Sequence, residues 1–366
     1  MKSEVSSLPI SPDTLDPSRV RSVLLVRLRS IGDTVLMTPC LATLKSWHPN
    51  VKITVVSEPL AAPLLDDHPL VDKLIITSGS LASRAGSVAQ LRSGGFDAAF
   101  NMHGGSTGAM LVRLSGASRS VGYRDLPLSW LLSDRAPAPD VILGRSRIHS
   151  VEQQLALLSW SGVPWPSSRP QLSLAVSAEA KLRVTERLRA LGIPERFGNF
   201  ACIVPGAALE SKRWNAEGFA AVVDHLRERW NLSSLVIAGP GQQQLAREVT
   251  SATRVRAAVL DQLSLKELVA LLGIARVFVG NDGGPMHIAA AVATPIVAVW
   301  GSSDPTVWHP WTEAPYRIVD SGSRNRDGAI KDIPASEVIE AVDEVVELAL
   351  GANYKADAAQ TAIAEV

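Results

Sequence analysis

Asp282 and His287 stand five positions apart around the adjacent glycines Gly283 and Gly284, in the run Val-Gly-Asn-Asp-Gly-Gly-Pro-Met-His-Ile-Ala-Ala-Ala at 279–291. The run passes from apolar residues through a polar turn into small helix-forming ones, and a turn of this kind can hold an anion. Glycines let backbone N–H groups approach a ligand closely, and the first turn of a helix offers unpaired donors and a partial positive charge suited to phosphate. An N-capped helix with a core histidine explains the same residues, and spacing alone leaves both readings open. A second group, Arg-Leu-Arg-Ser-Ile-Gly-Asp-Thr at 27–34, carries the lone carboxylate Asp33. Asp33 is either a general base at the mouth of a site or a helix N-cap, a position that aspartate favours. Lys212 and Arg213 follow Val-Pro-Gly-Ala-Ala at 204–208. A lysine there can neutralise a phosphate as a point charge, or the pair can face solvent beside Trp214. Ala-Gly-Pro-Gly-Gln at 238–242 resembles half of a dinucleotide-binding turn. It lacks the third glycine, and no acidic residue is clearly placed for a ribose, so a redox cofactor is not expected.

These turns need a scaffold that sets them side by side. Apolar, β-branched runs predict strands at 23–28, 52–56, 74–76 and 98–102, separated by helical patterns at 34–47, 87–92 and 106–114. A stretch rich in proline and serine follows at 161–171, where X-Pro steps disfavour helix. Beyond it the alternation returns: strands at 200–204, 234–238, 277–280 and 296–300, with helices at 178–191, 216–230, 242–250, 265–273 and 287–293. An amphipathic helix at 336–350 closes the series and could pack across either domain. Strand–helix alternation predicts parallel sheets covered by helices, in two doubly wound domains at 22–162 and 174–350. Residues 163–173 are the expected linker, and 1–21 and 351–366 the expected tails, the first of them flexible. Domains of this class bind ligands at the C-terminal ends of their strands, which would place the turns around a shared cleft.

Composition narrows the chemistry. Lysine plus arginine equals aspartate plus glutamate at 36 each, so overall charge does not point to a nucleic-acid partner. Cys40 and Cys202 are the only cysteines and have no neighbours at metal-ligand spacing, which fits a reducing cytosol. The residues before Arg21 lack the apolar core of a signal peptide, and the most apolar stretch, 288–300, is shorter than the roughly 20 residues that span a bilayer. There is no Asp-x-Asp, no His-Glu-x-x-His and no Gly-Lys-Ser/Thr loop, which disfavours metal-assisted handling of phosphate.

Taken together, Arg-Leu-Arg-Ser-Ile-Gly-Asp-Thr-Val-Leu-Met-Thr-Pro at 27–39 and Gly-Asn-Asp-Gly-Gly-Pro-Met-His-Ile-Ala-Ala-Ala at 280–291 resemble glycosyltransferase family 9. These are the ADP-heptose:lipopolysaccharide heptosyltransferases and their relatives. Pro-Gly-Ala at 205–207, Lys-Arg-Trp at 212–214, Gly-Ser-Ser-Asp-Pro at 301–305 and Ser-Gly-Ala-x-Arg-x-Val-Gly-Tyr at 115–123 extend the resemblance over residues 22–345.

The resemblance implies an α/β protein of the GT-B fold, two Rossmann-like doubly wound parallel-sheet domains facing a central cleft. The acceptor would bind the N-terminal domain and the nucleotide sugar the C-terminal one. It implies an inverting, metal-independent transferase that moves heptose or a related sugar from a nucleotide-diphosphate donor, ADP-heptose in the family, to a lipopolysaccharide core or lipid A-Kdo acceptor. No cofactor and no nucleic acid enter that reaction, and the enzyme would be cytoplasmic with peripheral contact at the inner membrane. By the same resemblance Asp33 is the base that deprotonates the acceptor, Lys212 holds the donor diphosphate, and Asp282, Gly283, Gly284 and His287 line the phosphate and sugar pocket. Leu263 falls where the family contacts the adenine, largely through backbone. Gly32, His103, Arg124 and Arg147 fall where an anionic acceptor would be met. The chain departs from the pattern at Ala207 and Ala208, where hydroxyl residues are usual, and at Gln242, where a ribose-binding glutamate is usual. It also lacks the cysteine-containing segment common near the family's C-terminus, with Gly-Ala-Ile-Lys-Asp-Ile at 328–333 in its place. An epimerase on the same fold, or a nucleotide-binding protein without chemistry, are the alternatives.

Overall fold

The computed structural model describes residues 10, 11, 13–194, 198–321 and 329–351. The rest of the expected tails, 1–9, 12 and 352–366, and Gly328 lie outside the described residues. The chain forms two compact units, Met1–Ala175 and Val176–Val366.

In the first unit the elements run β1 (Ser22–Val26), α1 (Ile31–Trp47), β2 (Lys52–Ser57), β3 (Lys73–Ile76), α2 (Leu81–Arg92), β4 (Ala98–Asn101), α3 (Ser106–Leu114), β5 (Arg119–Tyr123), β6 (Asp134–Ala136), α4 (Pro139–Leu143) and α5 (Ser150–Trp160). The strands form one parallel sheet in the order β3-β2-β1-β4-β5-β6. Val23 to Val26 are wholly buried, as an inner strand of a sheet covered on both faces requires. Part of the expected N-terminal tail belongs to this unit. Ser11 and Leu15 donate backbone bonds to Trp160 and Ser161 carbonyls at 2.7 and 2.8 Å, and Leu15 and Val20 are buried. The expected linker is also fastened to it: Val163 and Leu172 are buried, and the Ser173 N–H donates to Thr38 Oγ1 at 3.0 Å.

The second unit continues with α6 (Ala178–Ala190), β7 (Phe200–Val204), α7 (Ala216–Trp230), β8 (Ser233–Ile237), α8 (Gln243–Ala252), β9 (Ala258–Leu260), α9 (Leu265–Ile274), β10 (Val277–Asn281), α10 (Gly284–Ala291), β11 (Ile296–Trp300), α11 (Pro305–Trp308), β12 (Tyr316–Asp320) and α12 (Ala335–Gly351). Its sheet, β12-β11-β10-β7-β8-β9, is also parallel and has the same winding as the first. In each sheet the chain starts at the centre, winds outward one way, returns and winds the other. The switch points lie between β1 and β4 and between β7 and β10, and crevices at the carboxyl ends of such strand pairs are where doubly wound folds bind ligands.

Four strands, β5, β6, β9 and β12, and three helices, α4, α5 and α11, lie outside the sequence expectation. Strands β6 and β9 have three residues each, too few for a period, and β5 and β12 mix polar and apolar residues at or near a sheet edge. Edge pairing takes over: Arg119 of β5 forms an ion pair with Asp134 of β6, and the Ser120 N–H donates to Ser133 Oγ at 2.9 Å. Helix α5 starts at an unusual cap, His149, whose Nδ1 accepts from the Val151 N–H at 3.2 Å.

Candidate functional site

In the first unit the switch point gathers Arg27, Asp33, Asn101 and His103. Helix α1 begins at Ile31 with Ser30 as its N-cap, so the capping role considered for Asp33 belongs to Ser30, and Asp33 sits at the third position of the helix. Its Oδ2 accepts from the Ser30 N–H at 3.2 Å and from the Ser30 hydroxyl at 3.0 Å, and Oδ1 pairs with the Arg27 guanidinium. Gly32 lies beside it in the same turn. Arg27 is 7% exposed, and its guanidinium also donates to the Met102 carbonyl, tying β1 to the loop after β4. Burial pulls the Arg27 pKa down and the Asp33 carboxylate opposes that shift. His103 is held below the usual imidazole range by burial and then by the Arg27 charge, with a bond to the Arg29 backbone working the other way. Asn101 shapes the loop: its Oδ1 accepts from the Gly104 N–H at 3.1 Å, and a Cβ on Gly108 would overlap that oxygen. Asp33 is thus a partly exposed carboxylate, 23% by side chain, with each oxygen oriented by a donor and a neutral imidazole nearby.

Arg124 and Arg147 do not join this cluster. Both are exposed; Arg124 pairs with Asp125 at 3.7 Å, and Arg147 lies in a loop with φ of +60°. The sequence reading takes the Gly-x-Ser-x-Gly spacing of a serine nucleophile turn to be absent, but Gly-Gly-Ser-Thr-Gly at 104–108 has it. Ser106 is exposed at the start of α3, and among the described residues it shares no bond with His103.

In the second unit four segments converge on the other switch point. Lys212, at the end of a short 3₁₀ turn, Glu210–Lys212, places Nζ 2.5 Å from Asp282 Oδ2, and the Ser303 hydroxyl donates to the same oxygen. Asp282 is 5% exposed, so its charge is met by these two partners rather than by water. Asn281 clamps the loops below. Its Nδ2 donates to the Pro205 carbonyl at 2.7 Å, and its Oδ1 accepts from the Trp214 N–H at 3.1 Å. Gly283 caps α10, which begins at Gly284, three residues earlier than expected because Pro285 is tolerated in a first helical turn. His287 is therefore inside the helix and buried. The N-terminus of α10, with its donors and positive dipole end, opens beside Lys212 and Asp282, an arrangement that suits a diphosphate.

Gln242 borders this cluster, whereas Leu263 lines a groove that shares no residue with it. The Gln242 amide donates to the Ala207 carbonyl at 3.1 Å, and Arg213 Nε donates to the same carbonyl at 3.1 Å. A Cβ on Gly206 would overlap the Gln242 Oε1, which explains the glycine there. Leu263, after β9, lines an open groove of about 660 Å³ with Arg183, Arg187, Ser264 and Glu267. Arg27, Asn101, Asn281 and Ser303 were not singled out from the sequence. Arg27, Asn281 and Ser303 lie inside the motifs that carry the family resemblance, whereas Asn101 left no signal.

Replacing Asn281 by Ala orphans the Trp214 N–H and the Pro205 carbonyl in a buried place. The expected loss is about 1–3 kcal/mol, read as a fall of several degrees in Tm. An unchanged melting curve would show that the clamp contributes nothing to stability.

A model described as glycosyltransferase family 9 (heptosyltransferase) matches residues 86–326. Lipopolysaccharide heptosyltransferase 3 of Escherichia coli (strain K12) is 30% identical over 301 residues, covering 78% of this chain and 84% of that one. Among solved structures, the glycosyl transferase family 9 protein from Veillonella parvula DSM 2008 matches with a TM-score of 0.78 at 22% identity, covering 91% of this chain and 98% of that one. E. coli ADP-heptose lps heptosyltransferase II matches with a TM-score of 0.76 at 21% identity, covering 89% and 99%. The two structures show the fold, the pair of Rossmann-like units of the GT-B class. The family model spans well over half of the chain, and with the E. coli relative it decides the family. The chain belongs to glycosyltransferase family 9, the heptosyltransferase family, and is a glycosyltransferase.

Proposed function

We propose that the enzyme transfers heptose from ADP-heptose, with inversion and without a metal ion, to a hydroxyl of a lipopolysaccharide core precursor of the lipid A-Kdo type. The observation that carries this reading is the cluster of Lys212, Asp282 and Ser303 at the N-terminus of α10, a place built for a departing diphosphate. In the proposed step the acceptor oxygen forms a bond to the anomeric carbon from the face opposite the diphosphate. The bond from that carbon to the phosphate oxygen breaks, and its electron pair leaves with ADP. Asp33 takes the acceptor proton. The reading requires that Asp33 meet a sugar whose diphosphate is held by the second unit.

Charge develops on the sugar and the diphosphate together, so donors already in place at the phosphates favour the transition state. Lys212 and the N–H groups of Gly283 and Gly284 would supply them, with Asp282 orienting the lysine and His287 beside the sugar. Leu263 would meet the adenine through its backbone. Gly32, His103, Arg124 and Arg147 are assigned to the acceptor. Metal independence is supported by the donor set: among the described residues no group of three or more His, Cys, Asp or Glu side chains stands together. Excess EDTA is expected to leave turnover unchanged. No helix among the described residues is long and apolar enough to cross a membrane, which is compatible with a peripheral enzyme at the cytoplasmic face of the inner membrane.

Incubation with ADP-, GDP- and UDP-sugars, with and without lipid A-Kdo acceptors, tests the reaction by nucleotide release and product mass. Release that depends on acceptor supports transfer. Interconversion of the donor without acceptor would instead support an epimerase, and neither event would leave a binding protein. The sugar linkage, read by NMR, tests inversion.

Gln242 offers a finer check. Gln242→Ala removes a bond that fixes the Gly206–Ala207 loop, worth about 0.5–1.5 kcal/mol net. The donor KM is expected to rise about threefold to tenfold with little change in kcat. An unchanged KM would remove Gln242 from the donor site.

A further inference from the structure

Trp130 is 69% exposed, more than any other large apolar side chain among the described residues. Its turn is not loosely held. The flanking Leu128 packs on the core and Leu132 is buried within it, and the Ser129 hydroxyl donates to the Arg124 carbonyl at 2.5 Å. Leu126 lies against Gly104, next to His103, so the turn sits at the edge of the Asp33 cluster. Helix α3 packs against the turn and carries Met110, 47% exposed. An ordered turn thus holds a tryptophan out to solvent, and the helix packed against that turn exposes a methionine.

Helices α2 and α3 carry arginines and no acidic residue, while Asp125, paired with Arg124, is the exposed carboxylate five positions before Trp130. Residues 79–124 contain the arginines Arg84, Arg92, Arg113, Arg119 and Arg124 and a single acidic residue, Asp97. Asp97 is occupied by the Arg21 and Ser22 N–H groups at 2.7 and 3.0 Å, Arg119 by Asp134, and Arg124 by Asp125. Arg84, Arg92 and Arg113 have no ion-pair partner among the described residues, and they sit on α2 and α3, which share one core on the same sheet face. An exposed aromatic with an apolar neighbour and unpaired arginines fits an anionic lipid surface, where tryptophan seats at the headgroup level and arginine meets phosphate.

We propose that Trp130 and Met110, with Arg84, Arg92 and Arg113, form the surface by which the first unit docks on an anionic bilayer. The inference rests on the reading that the acceptor is a membrane glycolipid: docking here presents the Asp33 edge to an acceptor lying in the same bilayer.

The test is co-sedimentation of the full chain with phosphatidylglycerol/phosphatidylcholine vesicles, against phosphatidylcholine alone, in the absence of donor and acceptor. Binding is expected only with the anionic lipid and is expected to fall as salt rises. The double variant Trp130→Ser/Met110→Ser is expected to bind about tenfold or more weakly. The triple variant Arg84→Gln/Arg92→Gln/Arg113→Gln is expected to lose about fivefold for each charge removed. Both are expected to keep the wild-type rate with a water-soluble, deacylated acceptor. Failure of the wild type to sediment, or equal sedimentation of wild type and both variants, overturns the proposal. So does a shift of the Trp130 variant from dimer to monomer in sedimentation velocity, which would assign the patch to a second copy. Vesicle binding needs no turnover, so a chain that sediments but transfers no sugar overturns the proposed reaction and not the surface.

Discussion

Asp33→Asn is expected to lower kcat by about 10²–10⁴-fold, the usual contribution of a positioned general base. The amide keeps the shape of the carboxylate but cannot take the acceptor proton. ADP-heptose affinity is expected to stay close to wild type, since the donor is assigned to residues of the other unit. A structural effect runs alongside. Arg27 is 7% exposed and relies on Asp33 for its counter-charge. Removing one member of a buried pair costs about 3–5 kcal/mol, and the partial exposure of Asp33 places this case below that range. The double variant Arg27→Met/Asp33→Asn separates the two effects, because it removes the stranded charge. Its Tm is expected to recover above that of the single variant while turnover stays low. Wild-type turnover in Asp33→Asn would show that another group takes the proton.

Lys212→Ala is expected to raise the dissociation constant for ADP by about tenfold to a hundredfold, measured by calorimetry at fixed salt. A hydrogen bond to a charged group contributes about 1.5–3 kcal/mol, and here the lysine also screens Asp282. Without it, a carboxylate 5% exposed keeps the Ser303 hydroxyl as a side-chain donor and faces the incoming diphosphate with like charge. Adding Asp282→Asn to the lysine variant is therefore expected to restore part of the lost affinity. Additive losses in the double variant would mean that Asp282 and Lys212 contact the ligand independently. Undiminished ADP binding by Lys212→Ala would remove the diphosphate from this place altogether.

The two-domain α/β architecture was legible because the inner strands are buried on both faces. Val23 to Val26 and Val277 to Asn281 are apolar or small almost throughout, and the helices between strands repeat with helical spacing. Helix beginnings were less legible. The sequence suggests a start at Thr34 and at His287, whereas Ser30 and Gly283 cap helices that begin at Ile31 and Gly284. Both differences matter chemically, since they move Asp33 into a first turn and open the α10 N-terminus at the glycines. The short edge strands β6 and β9 carry too few residues for any pattern and form because neighbours supply hydrogen bonds.

The sequence by itself determined the element types, the family resemblance, and the assignment of Asp33, Lys212 and the 282–287 turn as the residues that could do chemistry. Their partners came only with tertiary structure. Arg27 and Met102 meet because β1 pairs with β4, and Asn281 reaches Pro205 because β10 pairs with β7. Ser303 reaches Asp282 because β11 lies next to β10. Local patterning reads the few residues of one turn of chain, whereas these contacts join segments from about twenty to more than seventy positions apart. Strand order and the winding of the crossovers decide which of those segments become neighbours, and neither is written in any single stretch of the chain.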